Sequence, residues 1–402
     1  MRRVFRRSLL AAACVTMLTA PAAWADVKVG FLGGFTGPIE ALTPPIFEGA
    51  KLAVKHVNEQ GGLLKGEKIE LASGDSTCVD ATAAAAAGDR MVNAEKVVAI
   101  VGGLCSGETI AIANSAAIPA GVMMISPAST SPAVSSLDDK DLVFRTTPSD
   151  SFQGEAMAKL LKEKGYDNIA ITYVNNDYGK GFADALEKAF TEAGGTVAAK
   201  EAHEEGKADY RAEIGQLASS GADTLVVLAY ASGSGQTIIR QAIEGGDFQK
   251  FVGGDGMIAD DLVTAIGADR LQGMIGTKAG RPEIPGAEIF AKLAKEAGFD
   301  GTAVYSPQAY DAAFLIALAI EKSGKAERAD LNKALREVAS GKGEQILPGE
   351  WEKAKSLIAQ GKDIYYAGAG GSMTFDEKGD VPGVIVEVVV KDGHFAEVGQ
   401  ID

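Results

Sequence analysis

VGGLCSGETIAIANSAAIPAGVMMISPAST, residues 101–130, holds two apolar strand-like runs that each empty into a loop of small hydroxyl residues. Residues 97–101 (VVAIV) lead into Gly102-Gly103-Leu104-Cys105-Ser106-Gly107, and residues 122–125 (VMMI) lead into Ser126-Pro127-Ala128-Ser129-Thr130. An apolar helix over 110–118 is expected between them. Such a strand, helix, strand unit sets hydroxyls and loop amides at both carboxyl ends, where open parallel sheets put their ligands.

The same alternation runs outward in both directions. Upstream, strands are expected at 27–32 (VKVGFL) and 68–72 (KIELA). A helix over 46–58 repeats Ala50, Ala53, Val54 and Val57 at helical spacing, and an alanine-rich helix covers 80–93. The rhythm restarts after Arg145-Thr146-Thr147-Pro148. Helices are expected at 153–164, 178–193, 211–219 and 236–244, with strands at 168–173, 196–201, 224–229 and 251–253. Residues 308–322 form the longest apolar helix, and residues 384–390 (VIVEVVV) form a late strand that needs a sheet to join. Two successive α/β halves with doubly wound parallel sheets follow from this pattern.

The first 25 residues read as an export signal. Arg2, Arg3, Arg6 and Arg7 precede an apolar run over 9–18, and Ala23-Trp24-Ala25 fits cleavage before Asp26. A twin-arginine route at Arg2-Arg3 and a lipoprotein anchor at Cys14 are weaker readings, the second because Ala11 stands where a larger aliphatic is usual. Cleavage removes four arginines and no acid, taking the formal charge from −15 to −19. That balance argues against nucleic acid as a partner. Roughly 377 residues remain, more than one core usually organises, so two domains are expected. Cys78 and Cys105 are then the remaining cysteines of a chain sent to an oxidising compartment, and they are expected to pair. The closed loop of roughly 28 residues is worth on the order of 3 kcal/mol. Two buried free thiols are the alternative.

Several catalytic motifs fail on inspection. After Gly233-Ser234-Gly235 the third glycine position of a dinucleotide fingerprint is Ile238, and no P-loop is present. Gly103-Leu104-Cys105-Ser106-Gly107 puts its serine one place late for a hydrolase elbow. His203-Glu204 begins like a zinc-protease helix but has Lys207 where the second histidine belongs. His56, His203 and His394 show no metal-ligand spacing. Neither an enzyme nor a cofactor is expected.

An ordered set of motifs resembles the periplasmic leucine/isoleucine/valine-binding proteins, the type I solute-binding components of branched-chain amino acid ABC transporters. The set comprises VGF-x3-FTGP from Val29, FEGAKLAV-x3-NEQGG from Phe47, Cys78 with Leu104-Cys105-Ser106, and MISPAST from Met124. It continues with FRTTPSD-x2-QG from Phe144, NNDYGKG from Asn175, the Tyr230 segment, GGDG from Gly253 and FDEKGD from Phe375. The resemblance implies two α/β lobes joined by a three-stranded hinge, crossed near Pro148, Lys278 and Gly383. The expected division is a signal peptide over 1–25, lobe I over 26–148 plus 279–383, and lobe II over 149–278 plus 384–402. It also implies a periplasmic monomer whose partners are an amino acid ligand and an inner-membrane permease with its ATPases.

Carried over residue by residue, the resemblance places Ser106, Ala128, Ser129 and Thr130 around the carboxylate and ammonium of an amino acid. Tyr178 closes over the ligand, Tyr230 bonds it, and Asp255 pairs with its ammonium. The physical requirement is the same: both charges of a zwitterion must be met when they are buried together. Four places depart from the family pattern. Asp255 is one methylene shorter than the usual glutamate, Leu42 stands where a tryptophan is common, Pro44-Pro45 stiffens that loop, and Glu108 replaces a small hydroxyl residue. Glu108 either faces a polar ligand side chain or supports the amino end of its own helix through the dipole; the second fits better. Leucine, isoleucine or valine is the default ligand. An amide or aromatic carboxylate, a sensory role and an exported enzyme on the same fold are the competing readings.

Overall fold

The computed structural model describes residues 26–280 and 283–401; the expected leader lies outside them. Five strands, β1 (Val27–Gly33), β2 (Ile69–Asp75), β3 (Ala99–Gly102), β4 (Met123–Ser126) and β5 (Val143–Arg145), form one sheet in the order β2-β1-β3-β4-β5. Every pairing in it is parallel. The second sheet takes β6 (Asn168–Val174), β7 (Thr196–His203), β8 (Thr224–Leu228), β9 (Lys250–Gly253) and β10 (Ile275–Ala279). A small parallel pair, β11 (Glu344–Ile346) and β12 (Ile364–Tyr366), stands apart. The late strand β13 (Ile385–Lys391) joins β10 antiparallel, and β14 (His394–Gln400) folds back on it as a hairpin. The resulting order is β14-β13-β10-β9-β8-β6-β7.

Strands β3, β4 and β8 are buried at every residue, as central parallel strands covered on both faces must be. The chain runs from β5 into the helix Asp150–Glu163, which packs on the second sheet. It leaves that sheet after β10 and returns to it at β13. The helix Ser306–Ser323 is buried along residues 306–320 and packs against the helix Thr43–Glu59. The latter starts on Pro44 and Pro45, where a missing N–H costs nothing.

One local difference from the sequence pattern bears on the site. The helix after β3 begins at Ser106, four residues before the apolar periodicity starts. Glu108 causes this: its carboxylate accepts from the N–H groups of Leu104 and Cys105 (3.0 Å), closing a capping box on Cys105. Farther on, residues Ala113–Ala117 widen into a π-helical turn.

Candidate functional site

The loops after β3 and β4 are held from beneath by buried charge. Arg145 is fully buried at the end of β5 and donates to the carbonyls of Ser129 (3.3 Å), Thr130 (2.9 Å) and Ser131 (3.0 Å). Its other donors reach Ser135 Oγ and both oxygens of Asp380, at 2.6–2.8 Å. One guanidinium thus fixes three successive peptide units, which the planar five-donor geometry of arginine suits. Above them, Ser126 Oγ donates to the Gly103 carbonyl at 2.6 Å, and Ser129 Oγ meets Thr109 Oγ1 at 2.7 Å. The Ser131 N–H donates to Ser106 Oγ at 3.1 Å. Gly102 has φ +118°, and a Cβ there would lie 2.2 Å from the Leu32 carbonyl oxygen, so β1 and β3 approach this closely only because it is glycine.

The first of these loops is also stapled. Cys78 and Cys105 form a disulfide with Cα atoms 5.3 Å apart, and Glu108 accepts from the Cys78 N–H at 3.1 Å. Burial pushes the Glu108 carboxyl up to about 7 against the pull of the Cys105, Leu104, Ser76 and Cys78 donors. Its oxygens are therefore engaged within its own loop and helix end, as the dipole reading expects, and it does not line the pocket.

The facing side comes from the second sheet. Asn176 caps the helix Asp177–Glu192 by accepting from Gly179 N (2.9 Å) and donates to Tyr230 Oη at 3.0 Å. Tyr178 and Tyr230 stack with centroids 5.4 Å apart. Asp255, in the turn after β9, accepts from Tyr178 Oη at 3.1 Å and from Tyr305 Oη at 2.6 Å. Tyr305 reaches it from a left-handed backbone, φ +63°, a conformation that costs energy in a non-glycine residue and here delivers a hydroxyl to a buried carboxylate. Burial raises the Asp255 carboxyl, with the Tyr305 and Tyr178 hydroxyls opposing it. Burial likewise raises Tyr178 and Tyr305, with the neighbouring Asp255 adding to it, so both phenols stay protonated donors. The two sides meet where Ser131 Oγ donates to the Asp177 carbonyl at 2.8 Å, and where Tyr305, at the start of the helix Ser306–Ser323 packed on the first-sheet side, reaches Asp255.

Between them lies a pocket. Ile39, Leu42, Ile46 and Leu104 give it an aliphatic wall, and Ser106, Ala128, Tyr178, Tyr230, Asp255 and Tyr305 line the rest. Five of the seven expected ligand residues therefore meet in one cavity. Ser129 and Thr130 stand behind the lining: the Ser129 hydroxyl serves the loop network, the Thr130 carbonyl holds Arg145, and Thr130 Oγ1 is buried without a hydrogen-bond partner. Sequence reasoning missed Tyr305, Arg145, Asn176 and Asp150. Arg145, Asn176 and Asp150 all fall inside motifs quoted above, whereas Tyr305 has no local signal.

Among the described residues no group of histidine, cysteine and acidic side chains is arranged to hold a metal, and no helix is long and apolar enough to cross a membrane. The family described as the receptor family ligand binding region matches residues 46–392. A leucine-, isoleucine-, valine-, threonine- and alanine-binding protein of Pseudomonas aeruginosa is 31% identical over 312 residues, 77% of this chain and 82% of that protein. The Leu/Ile/Val-binding protein of Escherichia coli is 28% identical over 93% of each chain. The crystal structure of a leucine-binding protein from Thermotoga maritima superposes with a TM-score of 0.78 at 28% identity, over 94% of this chain and 99% of that one. With this fold and this coverage, the chain belongs to the leucine/isoleucine/valine-binding protein family and has the type I periplasmic binding protein fold.

Proposed function

We propose that this protein is the extracytoplasmic substrate-binding component of an ABC importer. It binds an amino acid with a branched aliphatic side chain between two closing lobes and presents it to a membrane permease. The observation that carries the reading is the buried Asp255 facing an aliphatic wall, with Ser106 and the Ala128 backbone across the cavity. An ammonium supplies the charge that Asp255 requires, and an uncharged aliphatic group fills the space beside Ile39, Leu42, Ile46 and Leu104. A ligand with a carboxylate alone would meet repulsion at Asp255.

In this reading Ser106 and Ala128 serve the carboxylate and the ammonium from lobe I, residues 26–148 with 279–383, and Ser129 and Thr130 support them from behind the lining. Tyr178, Tyr230 and Asp255 complete the site from lobe II, residues 149–278 with 384–402. Contacts to both lobes favour the closed form, which the permease recognises. Arg145 and Glu108 touch no ligand; they hold the loops that do. Export rests on the leader, and the mass of the protein recovered from the periplasm should correspond to a chain starting at Asp26.

Thermal-shift screening of the protein lacking residues 1–25 against amino acids, amides and aromatic acids tests the ligand class. Leucine, isoleucine or valine should raise the melting temperature most. Stabilisation by an aromatic carboxylate with no response to any amino acid would replace this reading.

A further inference from the structure

Behind the pocket lies a second acid that the amino acid reading does not use. Asp150 opens the helix Asp150–Glu163 and is fully buried. Its N–H donates to the Thr130 carbonyl at 2.8 Å, but neither carboxylate oxygen accepts a hydrogen bond of acceptable geometry from the protein. The groups whose charge or polarity bears on it come from several elements: Asp255 from the turn after β9, Arg145 from β5, Thr130 from the loop after β4, and Tyr178 and Tyr305 from the starts of the helices Asp177–Glu192 and Ser306–Ser323. Gln153, one turn along the same helix, faces Asp255 and donates to Thr277 on β10 at 3.0 Å. The cation that reaches Asp150, Arg145, is already paired with Asp380 and engaged by three carbonyls.

Two buried carboxylates whose charges act on each other, with the cation that reaches Asp150 already paired elsewhere, do not both ionise, because each charge opposes the other in a medium that screens little. Burial, and then the charge of Asp255, push Asp150 well above the ordinary carboxyl range, while Thr130 and Arg145 pull the other way. We propose that Asp150 and Asp255 share one proton in the ligand-free protein, and that the ammonium of an incoming ligand displaces it to solvent. The proposal rests on the amino acid reading for the identity of the cation. Asp150 does not line the pocket, so it acts on the ligand through Asp255. Proton and ammonium exchange one for one, and the pair carries two negative charges only when a positive ligand is present.

The sign follows from linkage. Ligand binding lowers the pair's proton affinity, so binding releases a proton wherever the ligand-free pair retains it. Affinity then falls about tenfold per pH unit below the pair's upper titration and is flat above it.

Carbon-13 NMR of aspartate-labelled, ligand-free protein reads the shared proton directly, and calorimetry with leucine in buffers of unequal ionisation enthalpy reads its release. One of the two carboxyls should be protonated at pH 7, and leucine should release close to one proton per site. In Asp150→Asn, Asp255 should be ionised at pH 7, and both the proton release and the pH dependence of affinity should vanish. Two ionised carboxylates in the ligand-free wild type would overturn the proposal, as would unchanged proton release in Asp150→Asn. A retained proton in a protein that does not bind leucine would support the shared pair and strike the amino acid reading instead.

Discussion

The pocket wall made by the loops after β3 and β4 presents backbone and short side chains, whereas the facing wall presents tyrosine hydroxyls and a carboxylate on long side chains. The first wall stays in place through groups set mostly behind its surface: Arg145 under residues 129–131, and Glu108 with the disulfide at residues 104–106. The second depends on contacts among the functional groups themselves, Tyr178 on Asp255 and Asn176 on Tyr230, and on Tyr305, which crosses from the first-sheet side to the same carboxylate. Damage to the first wall should therefore appear as lost stability, and damage to the second as lost affinity in a protein that still folds.

Arg145→Met separates the two most sharply. It leaves Asp380 and three carbonyls without their shared donor, and removing one partner of a buried pair costs about 3–5 kcal/mol. Urea denaturation should show that loss, and a shift under about 1 kcal/mol would mean that loop packing alone holds the wall. Asp255→Ala attacks the other side. It should cost less stability than Arg145→Met, about 1–3 kcal/mol from the two tyrosine hydroxyls left without their acceptor, while weakening leucine binding by ~2–5 kcal/mol, read by calorimetry. Unchanged affinity would remove Asp255 from the ligand.

The disulfide comes next. Cys78→Ser with Cys105→Ser should cost about 3 kcal/mol of stability through the reopened loop, with a smaller effect on affinity as Ser106 loses its support. Equal losses in both would show that the staple shapes the site as well as the fold. Glu108→Gln should cost about 1–3 kcal/mol, because an amide leaves one of the loop N–H groups without an acceptor. Its pH signature is specific. The folded protein holds the Glu108 proton up to about 7 against an ordinary 4.5, so this carboxyl's contribution to stability is full below about 4.5 and is lost as pH rises toward 7. The glutamine variant should lack that fall, and an unaltered stability profile between those values would place the titration elsewhere.

The same contrast explains what the sequence revealed. Strand and helix alternation through residue 253 was legible because parallel strands buried on both faces read as apolar runs, and β4 and β8 fall within two residues of their patterns. The two loops of the first wall were legible for a related reason: small hydroxyl residues directly after such runs mark sheet ends. Asp255 and Tyr178 became candidates only through the resemblance, since a tyrosine on an amphipathic helix looks like any core residue. Asp150 was passed over because an acid at the first turn of a helix has an ordinary use as a dipole partner. What removes that use is burial beside a second acid some hundred residues away, a relation that local patterns do not carry. β5 and β10 were missed because three- and five-residue strands next to chain crossings lack a full period.

On the proposed function, the pocket recognises an ammonium beside an aliphatic side chain. Calorimetry of the wild-type protein with leucine and with 4-methylpentanoate, the same molecule without its amino group, tests it most directly. Saturable binding of leucine and none of 4-methylpentanoate is the predicted result. Equal or tighter binding of 4-methylpentanoate would contradict the account.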